Sequence, residues 1–146
     1  MKINIYYDKI SYRFPGWRKS VLLIDKVIRS EGLVSGDLNF IITSDEIIRA
    51  INIEFLKHNY NTDVISFDYN TGKIVNGEIY ISKDTVKRNA FNYNVSLKEE
   101  MLRVMIHGVL HLTGYNDGTR EDKKLMRKKE NIWLKEFFGK SYGIQL

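Results

Sequence analysis

Residues 101–117 read M-L-R-V-M-I-H-G-V-L-H-L-T-G-Y-N-D. His107 and His111 stand four residues apart in an apolar run, with Gly114 three residues on and Asp117 three beyond that. On an α-helix that spacing puts both imidazoles on one face, one turn and ~6 Å apart along the axis. Two nitrogens can then converge on one ion. Gly114 is a natural helix stop, since glycine alone enters the left-handed cap conformation without penalty. The chain can fold back there and bring the Asp117 carboxylate to the same point. Two imidazoles, one carboxylate and an open fourth position describe a catalytic-type zinc site. We therefore expect one Zn²⁺ per chain, with His107, His111 and Asp117 as both ligands and catalytic centre. The alternative for either histidine is a satisfied core residue. The helix itself is apolar nearly all round through Leu102, Met105, Ile106, Val109 and Leu110. Such a helix is buried in the middle of a domain, which places the ion at the floor of a cleft.

Working outward, Ser96-Leu97-Lys98-Glu99 is a capping box that opens this helix. Upstream, residues 83–94 have helical spacing through Val86, Ala90 and Tyr93, and Gly77–Ser82 alternates as a strand. Asn70-Thr71-Gly72-Lys73 is turn chemistry after a β-branched and aromatic strand at 64–69. Thr43-Ser44-Asp45-Glu46 reads as a second capping box, with Thr43 as the cap. The helix it opens buries Ile47, Ile48, Ile51 and Phe55, and the polar run His58–Asn61 ends it. Strands are expected at 2–7 and around Leu38–Ile42, with an amphipathic helix over roughly 16–30 between them. The last helix runs from about Thr119 to Phe138, with Leu125, Ile132, Trp133 and Phe137 inward and Arg127-Lys128-Lys129 on a solvated face. The fold class is α+β, or a loosely wound α/β sandwich: one domain over residues 1–146, about four strands and about five helices around a central, buried metal-binding helix.

Composition bounds the function. The chain is 43% hydrophobic, enough for one core in 146 residues. It lacks an apolar run long enough to span a membrane and a secretory leader pattern, so no membrane association and a cytoplasmic location are expected. Without cysteine, thiolate ligands are excluded. A net charge of +5 suits a polyanionic partner such as nucleic acid.

The ligand spacing matches the zincin peptidase pattern, in which a glutamate directly follows the first histidine and serves as base. That position is Gly108 here. It has no proton acceptor, and close packing against a strand explains a glycine equally well, so a metallopeptidase becomes the minor alternative. Metal-assisted phosphodiester cleavage needs no such glutamate.

The segment H-G-V-L-H-L-T-G-Y-N-D at 107–117 resembles the H-G-x-L-H-L-x-G-Y-D-H signature of the YbeY family, bacterial endoribonucleases of ribosomal RNA maturation. Ile51-Asn52 and Asn61–Phe67 are similar to that family's L-N…P-T-D-V-L-S-F segment, and Gly77–Ser82 to its G-D-I-x-I strand. The resemblance implies a metal-dependent single-strand endoribonuclease, usually loaded with zinc. It further implies action near the 3′ end of small-subunit (16S) rRNA, in ribosome quality control, and association with the small ribosomal subunit or its precursors. Three positions depart from the family pattern: Asp117 replaces the usual third histidine, Asn116 the usual aspartate, and Leu56 a common arginine. Lys57, His58 and Arg103 are the expected sources of charge for a substrate phosphate in its place. The alternative of another class is a ribosome-assembly RNA-binding protein that keeps a structural metal and turns over little.

Overall fold

The computed structural model describes residues 2–57 and 62–143. Four strands form one mixed sheet in the order β1-β2-β4-β3: β1 Lys2–Tyr7, β2 Val34–Thr43, β3 Val64–Asp68 and β4 Ile74–Ser82. β1 and β4 both run parallel to β2, whereas β3 runs antiparallel to β4 through the 70–73 turn. The helices are α1 Trp17–Ser30, α2 Asp45–Ile51, α3 Lys83–Asn92, α4 Leu97–Leu112 and α5 Arg120–Phe138. A π-helical turn, Asn52–Leu56, continues α2.

Alternation fixes which sheet face is buried. Leu38, Phe40, Ile42, Ile79 and Ile81 point to one side and are fully buried, as period-two patterning requires. α4 lies against that face at β3 and β4, flanked by α1, α3 and α5. Its Met101, Leu102, Met105, Ile106, Val109 and Leu110 are fully enclosed. Close approach is possible because residue 108 is glycine: a Cβ there would stand 2.8 Å from Ile79 Cγ2 and 3.2 Å from Ser66 Oγ. The capping box at the start of α4 is formed in both arms, Glu99 N–H donating to Ser96 Oγ at 3.1 Å and Ser96 N–H to Glu99 Oε1 at 3.0 Å.

Several local expectations are corrected. The cap of α2 is Ser44, whose hydroxyl accepts from Ile47 N–H, while Thr43 ends β2 and donates to the Asp8 carbonyl. Phe55 is 60% exposed. The π turn adds a residue per turn and rotates it outward, where it meets the edge of Phe67 at 5.9 Å, and Asn52 is buried in its stead. The polar run 58–61 lies outside the described residues. On α5 the buried line is Met126, Glu130 and Leu134, with Trp133 and Phe137 partly buried beside it, while Leu125 and Ile132 are exposed. Lys128 is solvated as expected, but Arg127 faces inward and Lys129 pairs with Glu31.

Candidate metal centre

α4 carries His107 and His111 on one face, and the loop after it returns Asp117. The helix stops because Gly114 adopts φ +113°, a conformation L side chains rarely reach. Gly114 N–H donates to the His111 carbonyl and Tyr115 N–H to the Leu110 carbonyl, which folds the chain back over the last turn. The three donor atoms then form a small triangle. His107 Nε2 lies 3.0 Å from His111 Nε2, and Asp117 Oδ2 lies 3.2 Å from the first and 3.4 Å from the second. Ligands of a tetrahedral ion bound at ~2.0–2.1 Å stand ~3.3 Å apart, so the triangle is one face of such a site.

The opposite ring nitrogens settle the tautomers. His111 Nδ1 is 3.0 Å from the Tyr115 carbonyl, which can only accept, so Nδ1 carries the proton. His107 Nδ1 is 2.7 Å from Glu130 Oε2 and donates likewise. In the neutral rings both Nε2 lone pairs then face Asp117 and each other, an arrangement that a bound metal ion, or a proton on one Nε2, relieves. These residues fit a metal, with the outer partners that metal-ligating histidines require. Burial opposes charge on His107, yet the bonded Glu130 carboxylate, with Asp63 and Asp117 nearby, lifts its pKa above the ordinary value.

Two hollows meet at the triad. The first, about 300 Å³, lies between α3, α4 and α5 and is lined by Asn89, Tyr93, Glu100, Arg103, Arg127 and Glu130 among others. The second, about 410 Å³, lies toward β3 and the π turn, with Asn52, Leu56, Thr62, Ser66 and Asp68 in its wall. His107, Asp117 and Asp63 line both. Burial raises the Asp63 carboxyl against the pull of His107. In the first hollow, burial pushes Glu100 up to about 7 despite Arg103 and Arg127.

The model of the family described as endoribonuclease YbeY matches residues 9–138. The chain belongs to the YbeY family. A protein named endoribonuclease YbeY from Christiangramia forsetii is 46% identical over 107 residues, 73% of this chain and 75% of its own. One of that name from Amoebophilus asiaticus is 43% identical over 136 residues, 91% and 92% of the two chains. The solution structure of TM1509 from Thermotoga maritima superposes with a TM-score of 0.67 at 28% identity, covering 94% of this chain and 89% of that one.

Within this YbeY chain the expected ligands come together, and the charged residues expected for the substrate separate. Leu56 lines the second hollow, and Lys57 follows it exposed at φ +59°. His58 lies outside the described residues. Arg103 lines the first hollow but is 7% exposed. Its Nη1 donates to Glu130 Oε1 at 2.9 Å and its Nη2 to Asn131 Oδ1 at 2.8 Å. Sequence reasoning missed Glu130, Glu100, Arg127 and Tyr93. The visible signal was a carboxylate at the middle of the i, i+4, i+8 line Met126–Glu130–Leu134. No helix among the described residues is long and apolar enough to cross a membrane.

Proposed function

We infer that this chain is a metal-dependent endoribonuclease that cuts single-stranded RNA, with small-subunit rRNA precursors near the 3′ end as its substrate and zinc as its ion. The observation that carries the reading is the donor triangle of His107, His111 and Asp117 placed where two hollows join, so that a strand crossing from one to the other passes over it. Family membership supplies the reaction class, since the relatives are named endoribonucleases.

His107, His111 and Asp117 would hold the ion, which when bound polarises a phosphoryl oxygen and makes water more acidic. Glu130 and the Tyr115 carbonyl keep both imidazoles in the ligating tautomer. Asp63, which lines both hollows with the triad, would accept the proton of the attacking water as its oxygen bonds to phosphorus and the bond from phosphorus to the ribose oxygen breaks, the proton passing to that leaving oxygen. Lys57, next to Leu56 at the second hollow, would meet the substrate's phosphate charge, with His58 following it in sequence, whereas Arg103 is committed to Glu130 and Asn131. Cytoplasmic residence and association with ribosomal precursors follow from that substrate. A peptidase reading lacks its base, because no side chain larger than hydrogen fits at residue 108 without displacing Ile79.

The test is cleavage of labelled rRNA fragments and of casein, each with and without chelator, by the parent, His107→Ala and His111→Ala. RNA cleavage that needs the ion and both histidines is the expected result. Tight RNA binding without turnover would favour the assembly-factor alternative, to which Leu56 in place of arginine points.

A further inference from the structure

The first hollow is more than the approach to the metal. Its walls come from three helices: Asn89 on α3 and Tyr93 at its C-terminal cap, Glu100 and Arg103 on α4, and Lys123, Arg127 and Glu130 on α5. The groups are of mixed kind. Tyr93 leaves 36% of its surface open, and the Arg127 guanidinium carbon lies 5.8 Å from its ring centre, so the rim offers planar groups on which a base can stack. Below it is Glu100, 3% exposed. Among the described residues no hydrogen bond reaches its carboxylate, and the cation within ion-pair reach is Arg103 Nε at 3.8 Å. A buried carboxylate that lines a cavity without a hydrogen bond demands donors. Of the cations in the wall, Arg103 and Arg127 both pair with Glu130, so beside Asp63 and Asp117 the floor offers a base's N–H donors an unbonded carboxylate and a phosphate no unpaired guanidinium.

We propose that this hollow is a subsite for one unstacked base of the RNA strand beside the scissile phosphate, selective for guanine, with Tyr93 as platform and Glu100 as reader. The proposal rests on the endoribonuclease reading of the adjoining triad. Guanine presents N1–H and an N2 amino hydrogen side by side, matching the two oxygens of a carboxylate. Adenine and cytosine set an acceptor beside their amino group, and uracil flanks its single N–H with two carbonyls. Asn89 can donate to the guanine O6 or N7 acceptors. At about 300 Å³ the hollow lies at the small end of ligand sites and suits one nucleotide rather than a stack. The second hollow has Leu56, Thr62 and Ser66 instead, and no cation among its lining residues.

The probes are uridylate octamers carrying one central guanosine, inosine or adenosine. Dissociation constants are read by fluorescence anisotropy at pH 8, where the Glu100 carboxylate is ionised, under chelation, and kcat/KM for cleavage at the same pH with metal restored. The guanosine octamer should bind about ten-fold more tightly than the adenosine one, with inosine, which lacks the 2-amino group, between them. Glu100→Gln, isosteric but mixing a donor with an acceptor, should bring guanosine and adenosine to parity. Tyr93→Leu should weaken the guanosine octamer about ten-fold and Tyr93→Phe should not. Metal content and thermal unfolding identify a variant that has lost its fold, and Asn89→Ala, on the rim, supplies an independent loss of the guanosine advantage. If the parent cleaves RNA without preferring guanosine, or Glu100→Gln and Asn89→Ala both retain the preference, the subsite is overturned and the endoribonuclease reading stands. If the metal-loaded parent neither binds nor cuts any octamer, both fall.

Discussion

At the scale of single residues the site turns on which atom of each imidazole is free. A histidine pair at i, i+4 is visible in any sequence, but ligation depends on what holds the far nitrogen. For His107 that is Glu130, 3% exposed and shared with Arg103. Its carboxylate both fixes the ring and makes Nε2 a better donor. Glu130→Gln keeps the size and removes the charge, while Arg103 retains Asn131. Metal affinity should fall about 10-fold or more, read by competition with a chromophoric chelator. An unchanged affinity would show that Glu130 serves Arg103 alone. The convergence of the three donors was legible in sequence because it is local: 107, 111 and 117 share one helix end. Glu130 was not, because its partner lies 23 residues away and a glutamate on a helix is nearly always solvated. Leu125 and Ile132 suggest an inward face through themselves, whereas the contacts with His107 and Arg103 turn Glu130 inward.

At the scale of elements, α4 shows how packing decides what chemistry a helix can host. Gly108 faces Ile79, whose Cγ2 methyl is fixed to a β-branched carbon and fully buried. Gly108→Glu, the change that would supply a peptidase base, should therefore overpack the α4–β4 contact and bury a carboxylate, costing more than about 3 kcal/mol. Chemical denaturation measures it, and a stable variant with caseinolytic activity would refute the packing account. The other end of α4 carries a pH signature. Glu100 rises from 4.5 to about 7 because burial disfavours its charge, so the native state holds a proton that the unfolded chain releases above about 4.5. Its contribution is favourable at low pH and is lost as pH climbs through 7. Glu100→Gln should thus raise the unfolding temperature relative to the parent at pH 8 and lose that advantage by pH 5. The reverse order would mean that Arg103 and Arg127 outweigh burial.

At the scale of the whole molecule, the sequence conveyed the inventory of elements better than their arrangement. Alternation and capping placed four strands and five helices, and the turn chemistry at 70–73 falls between β3 and β4, which pair antiparallel. The order β1-β2-β4-β3 was not legible. Whether β3 or β4 lies beside β2 is decided by how the pair packs under α4, where Ile79 and Ser66 meet Gly108, and no local pattern records such a contact. The π turn was hidden for a related reason: its residues keep ordinary helical character, and only the burial of Asn52 at the expense of Phe55 betrays the extra residue.

That architecture would make a bound ion a fastening between parts. Two of the candidate ligands belong to α4, the element packed on the sheet, while Asp117 belongs to the loop that launches α5 from its Thr119 cap. Glu130 on α5 then closes the circuit back to His107. Ion binding should consequently stabilise the entire domain and not a loop alone. Ligand present at 100 times its dissociation constant adds about 2.7 kcal/mol, which for a domain of this size is a rise of about 10 °C in unfolding temperature. Differential scanning calorimetry of chelated and zinc-saturated protein should show one transition displaced upward by that order. His111→Ala should unfold at one temperature in both conditions, and Asp117→Ala should shift less than the parent. A full shift in Asp117→Ala would remove that residue from the ligand set. A shift confined to a minor early transition would mean that the ion orders the 113–119 loop without joining α4 to α5.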